Sequence, residues 1–159
     1  MIRRMAIDEL TTVDLERSMK LSYEMLINCY DKAGVPLIYH SAAVASLCGT
    51  IEEKIVAYLH DVLEDGKSEQ KKEAFKIVCT EFDIKIRNAI YAITRKEGER
   101  YKDYLDRVKG NDLARHVKIA DLKHNLMQWR LSNDVYQSSL IKRYQMALDF
   151  LSEKEKNNG

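Results

Sequence analysis

Residues 51–65 read Ile51-Glu52-Glu53-Lys54-Ile55-Val56-Ala57-Tyr58-Leu59-His60-Asp61-Val62-Leu63-Glu64-Asp65. The apolar positions recur at helical spacing, which predicts a helix from Ile51 to Leu63, stopped by Asp65-Gly66. Within it, His60, Asp61, Glu64 and Asp65 stand at i, i+1, i+4 and i+5 among apolar residues. At about 100° per residue these four fall within an arc of about 140°, so they can converge on one site. Leu59, Val62 and Leu63 would hold the other side against a core. A neutral imidazole beside a carboxylate suits a divalent cation such as Mn²⁺, Fe²⁺ or Zn²⁺. Glu64 and Asp65, about one turn further on, are placed to act on a water rather than on the cation.

The rest of the chain reads in the same way. It has one proline and six glycines in 159 residues, and 45% of its residues are hydrophobic. Few breakers and many helix formers predict an all-α fold, and no alternating strand run stands out. The length suits one domain over residues 1–159, with a core from about 11 to 151. A first helix is expected to open at a capping box, Thr11-Thr12-Val13-Asp14, and to reach about Tyr30. After a loop through Gly34 and Pro36, a second covers Tyr39 to Leu47. Ser68 caps another, with Phe75, Val78, Cys79 and Phe82 buried. Further helices are expected from Ile84 to Ile93, around Tyr101–Val108, from Leu113 to Leu131, and from Ser132 or Asn133 to Leu151. Thr94–Arg100 reads as a polar loop.

Composition bounds the function classes. There are 26 Lys+Arg and 25 Asp+Glu, a formal net charge of +1. That balance argues against a nucleic-acid binder acting by bulk electrostatics. Cys29, Cys48 and Cys79 are odd in number and form no close pair, so a disulfide framework or cysteine-based zinc site is not expected. No apolar run is long enough to span a membrane, and the first residues lack a signal-peptide core. The expectation is a cytoplasmic protein that uses neither nucleic acid nor membrane. Its oligomeric state is not legible.

Two further places complete the polar cluster. In Lys118-Ile119-Ala120-Asp121-Leu122-Lys123-His124-Asn125, the residues Lys118, Asp121 and Asn125 fall on one helical stripe. His40, at the start of a helix, offers a second imidazole. His40, His60, Asp61 and Asp121 together make two imidazoles and two carboxylates. Each element alone has an ordinary reading: a helix-start histidine, a common His-Asp pair, an i, i+3 salt bridge between Lys118 and Asp121. His116 and His124 lie outside the stripe and are not expected to be ligands.

The combination, Tyr39-His40…Val44-Ala45, then His60-Asp61-Val62-Leu63-Glu64-Asp65, then Ile93-Thr94-Arg95, then Lys118-Ile119-Ala120-Asp121…Asn125, resembles the HD-domain metal-dependent phosphohydrolases. Within them it is most similar to the hydrolase domain of the RelA/SpoT alarmone enzymes, over about Lys32 to Asn125. The resemblance implies one Mn²⁺ bound by His40, His60, Asp61 and Asp121. It implies that Glu64 and Asp65 position and deprotonate the attacking water. Lys32, Thr94, Arg95, Lys118 and Asn125 would contact substrate. The implied reaction removes pyrophosphate from the 3′ position of guanosine 3′,5′-bis(diphosphate) (ppGpp), here in a hydrolase-only protein. The sequence departs from the family at His40-Ser41, around Lys32, and through Thr94–Tyr101, beside the ligands rather than at them. The alternatives are a nucleotidase acting on nucleoside monophosphates with the same metal site, or a nucleotide sensor without turnover.

Overall fold

The computed structural model describes residues 2–31, 34–65, 68–127 and 135–153, and the side chains among them except those of residues 2–11, 65, 68 and 135–137. Lys32 lies outside the described residues, as does the side chain of Asp65. The fold is all-α. Nine helices are described: α1 (Ile2–Leu26), α2 (Leu37–Ser46), α3 (Ile51–Leu59), α4 (Val62–Asp65), α5 (Ser68–Glu81), α6 (Ile84–Ile93), α7 (Tyr101–Lys109), α8 (Asp112–Asn125) and α9 (Val135–Ser152).

Helices α3 and α8 lie against each other at the centre. Helices α1, α2 and α6 also pack on α3, and α2, α6, α7 and α9 on α8. Val56, Ala57 and Leu59 of α3 and Ala114, Val117 and Leu122 of α8 are wholly buried. Burying each large aliphatic side chain contributes about 1.5–3 kcal/mol, so this pair anchors whatever polar groups it carries. No helix among the described residues is long and apolar enough to cross a membrane. Cys29, Cys48 and Cys79 are free thiols.

Local signals explain several boundaries. Thr50 and Glu53 close a capping box at the start of α3, where the Thr50 hydroxyl accepts the Glu53 N–H at 3.2 Å. Asp83 accepts the Ile86 N–H at 2.9 Å, and Asn111 accepts the Ala114 N–H at 2.9 Å, which starts α6 and α8 as expected.

The first helix departs from the sequence reading at both ends. It already runs through residues 2–10, so Thr11–Asp14 lies inside it. The Asp14 carboxylate pairs with Arg17 at 2.7 Å instead of capping. The helix stops at Leu26 rather than Tyr30, because Asn28 takes a left-handed conformation, φ 62°.

Three more expectations are corrected. The helix expected from Ile51 to Leu63 breaks at His60-Asp61. There the His60 ring donates its Nδ1–H to the Ala57 carbonyl at 2.6 Å, competing for the acceptor that the Asp61 N–H would use. Phe75 is exposed, because α5 turns Ala74, Val78 and Phe82 inward at i, i+4 and i+8. The helix expected to reach Leu131 ends at Asn125, where the Met127 N–H tightens onto the His124 carbonyl at 3.2 Å. Trp129 lies outside the described residues.

Candidate metal centre

The centre forms where α2, the α3–α4 break and α8 meet. His40 sits in the first turn of α2, beside buried Leu37, Ser41 and Val44. His60 caps the end of α3, and the break directs Asp61 to the same side. Asp121 comes from α8, held by buried Ala120 and Leu122. One ligand atom from each of His40, His60 and Asp121 lies within 4.8 Å of the other two, and all three residues are buried. A cation about 2.1 Å from each donor would hold them about 4 Å apart or less, close to this spacing.

The distances define the arrangement. His40 Nε2 is 2.9 Å from Asp121 Oδ1 and 3.7 Å from Asp61 Oδ2. His60 Nε2 is 3.2 Å from Asp61 Oδ1 and 3.8 Å from Asp121 Oδ1. Three of the four residues expected as ligands, His40, His60 and Asp121, therefore converge, and Asp61 lies against both imidazoles without joining that mutually close group. The helix break replaces the continuous arc that the spacing implied.

The donor set suits a cation on a second ground. A carbonyl can only accept, so Nδ1 carries a proton, and in the neutral ring it is the Nε2 lone pair that faces the centre. That Nε2 is buried and makes no hydrogen bond. A ring held by a backbone carbonyl with its other nitrogen turned inward is the usual state of a metal-ligating histidine.

The charges agree. Burial works against the His60 imidazolium, but Asp61 and Asp121 beside it push its pKa up to about 9. Burial also opposes the Asp121 carboxylate. Lys118 and the two imidazoles outweigh it and hold that carboxyl well below the usual range. Two carboxylates in a buried space thus attract positive charge, as a proton or as a metal.

The residues around the centre divide into those facing inward and those facing a cleft. Lys118 donates to Asp121 Oδ2 at 2.6 Å, and Asn125 Nδ2 donates to Asp121 Oδ1 at 2.7 Å. Both were expected to contact substrate, and in the structure both hydrogen-bond Asp121. Glu64 is half-buried, and its Oε1 accepts the Arg95 backbone N–H. Burial raises its pKa, against the pull of that hydrogen bond and of Lys118. Thr94 closes α6, its hydroxyl donating to the Ile90 carbonyl at 2.7 Å. The Arg95 guanidinium is exposed, bonding the Glu99 carbonyl at 2.8 Å and lying 5.3 Å from the Tyr101 ring centre.

The Thr94–Arg100 segment is held in place. Arg107 of α7 pairs with Glu99 and donates to the Thr94 carbonyl at 2.8 Å. Glu64 and this segment border a polar cleft of about 800 Å³ that also takes in Lys71 and Lys96. It adjoins an apolar cleft of about 550 Å³ along Phe75, Val78, Ile90 and Tyr91, and the two share Leu63, Lys71 and Lys96.

Sequence reasoning missed Lys71, Arg107 and His124. Lys71 donates to the Glu64 carbonyl across the α4–α5 connection. Nothing in its local pattern marks it. His124 was set aside, yet its Nδ1 lies 2.7 Å from His40 Nδ1, and it is buried. Its position three residues after Asp121 on α8 was the available signal. His116 is exposed and pairs with Glu53 at 2.9 Å, away from the centre. Tyr104 is buried and donates to the Ile93 carbonyl at 2.8 Å. Among known proteins, no family model matches the chain, and no curated protein matches its sequence.

Proposed function

We propose that this protein is a Mn²⁺-dependent phosphohydrolase of the HD type. Its proposed reaction is removal of the 3′-pyrophosphate from guanosine 3′,5′-bis(diphosphate) or a related nucleotide. The observation that carries this reading is the convergence of His40, His60 and Asp121, with Asp61 against both imidazoles and Glu64 beside them. When bound, the cation lowers the pKa of water and polarises the phosphorus.

The chain's own groups supply the rest. His40 and His60 present ring nitrogens, and Lys118 keeps Asp121 anionic. Glu64, at the border of the polar cleft, accepts the proton of the attacking water. The water oxygen bonds to the 3′ phosphorus and the 3′ O–P bond breaks, so pyrophosphate departs carrying the water oxygen, and the displaced ribose 3′ oxygen takes up a proton from solvent to become a hydroxyl. Lys71, Arg95 and Lys96 bring positive charge to the phosphates, and the adjoining apolar cleft offers Tyr91 and Phe75 to a base. Asp65 is kept as a second acid from the resemblance alone.

The test is product release from guanosine 3′,5′-bis(diphosphate) with Mn²⁺, beside nucleoside mono-, di- and triphosphates. Asp61→Ala is the blank. Pyrophosphate and GDP formed by the wild type alone support the proposal. Cleavage of only a nucleoside monophosphate moves the substrate and keeps the metal chemistry. Silence on every nucleotide by protein that holds Mn²⁺ overturns hydrolysis.

A further inference from the structure

We propose that His124 is a positioning residue for His40: its Nδ1 accepts the His40 Nδ1–H, and so turns the His40 Nε2 lone pair into the centre. The inference rests on the metal reading above and deepens it.

The argument begins with the 2.7 Å separation of the two Nδ1 atoms. Two ring nitrogens that close require one proton between them. If His124 carries it, His40 accepts at Nδ1, and a neutral His40 ring must hold its own proton on Nε2. That proton would point at Asp121 Oδ1, 2.9 Å away, and leave no lone pair for a cation. If His40 carries it, Nε2 is free to ligate. His124 selects between these states only if it presents an acceptor at Nδ1.

The two histidine ligands are thus built alike by different means. His60 has Nδ1 tied to a backbone carbonyl, Ala57, at 2.6 Å. His40 has Nδ1 tied to a side chain. The rings of His40 and His124 lie 4.9 Å apart, centre to centre, at 33°. Helix α8 carries both the ligand Asp121 and His124, three residues on, so one rigid element supplies a ligand and orients another. Partners of this kind change metal affinity by about 10–100-fold when removed.

The experiment measures Mn²⁺ dissociation constants calorimetrically for the full chain as wild type, His124→Leu and His124→Asn. Visible spectra of the Co²⁺-loaded proteins give a second readout. Leucine removes the acceptor, and asparagine returns an oxygen near the Nδ1 position. The expected result is Mn²⁺ binding weakened about 10–100-fold with an altered Co²⁺ spectrum for His124→Leu, and near-wild-type values for His124→Asn. His124→Ala replaces the leucine variant if that one does not unfold cooperatively. Equal affinity and an unchanged spectrum without the acceptor overturn the inference, as does an asparagine variant as weak as leucine. Wild-type protein that binds no Mn²⁺ overturns the metal reading itself, and this inference with it.

Discussion

Replacing Lys118 by Met tests whether the centre is held by an internal charge pair or whether Lys118 reaches substrate. Its ammonium lies 2.6 Å from Asp121 Oδ2, and the two side chains are 17% and 4% exposed. At an effective dielectric of about 20, unit charges 2.6 Å apart attract by roughly 6 kcal/mol. Part of that offsets the desolvation of the lysine. Methionine keeps most of the volume and leaves Asp121 a buried anion without its cation, a change that typically costs about 3–5 kcal/mol. The lower end applies, because Asn125 still donates to Oδ1 at 2.7 Å. For a chain of this size the metal-free melting temperature falls by about 2–4 °C per kcal/mol, so by roughly 6–12 °C. Mn²⁺ restores positive charge to the centre, so it should stabilise the variant more than the wild type. The assay is urea unfolding of metal-free and Mn²⁺-loaded protein, followed by circular dichroism. A metal-free variant within about 1 kcal/mol of wild type refutes the buried-pair reasoning. A raised KM with unchanged stability returns Lys118 to the substrate.

Other outcomes follow from the same geometry. Asp61→Ala should lose both Mn²⁺ retention and turnover, read as metal content after desalting and as product release. Glu64→Gln keeps an oxygen for the Arg95 N–H, so the loop and the metal should stay, while turnover falls by about 10²–10⁴. Full activity in that variant removes Glu64 from the mechanism. Burial raises the Glu53 carboxyl, but the Gly49 N–H, His116 and the Thr50 N–H outweigh it and hold its pKa below the usual 4.5. A depressed carboxyl binds its proton less tightly in the folded state than in the unfolded one. Its contribution is therefore present above about pH 4.5 and lost as the pH falls through the folded value. Urea midpoints between pH 7 and pH 3 should fall more steeply for wild type than for Glu53→Gln, and parallel profiles would contradict this.

The helical class, and the positions of α6 and α7, were legible because apolar spacing reports which face of a segment is buried. Part of the candidate metal-holding cluster was legible for a related reason. His60-Asp61 and Asp121 interrupt apolar stretches where a solvated face would not put them. Capping was less reliable: Thr11–Asp14 carries the pattern of a helix start and lies inside α1, since Asp14 had a nearer partner in Arg17. The end of α3 could not be read either, because the Ala57 carbonyl is taken by a side chain whose propensity gives no warning.

What the sequence by itself determined was the inventory: an all-α fold, most of the inward helix faces, and the two imidazoles and two carboxylates from which the candidate centre draws. Only the tertiary structure decided the partners. Lys118 and Asn125 shared a stripe that suited either Asp121 or a substrate, and packing engaged both with Asp121. Glu64 meets Arg95 across 31 positions, and His40 meets His124 across 84. Local periodicity extends over a few turns. Contacts at that separation depend on how α2 and α8 seat against α3, which is set by the shape of the whole core.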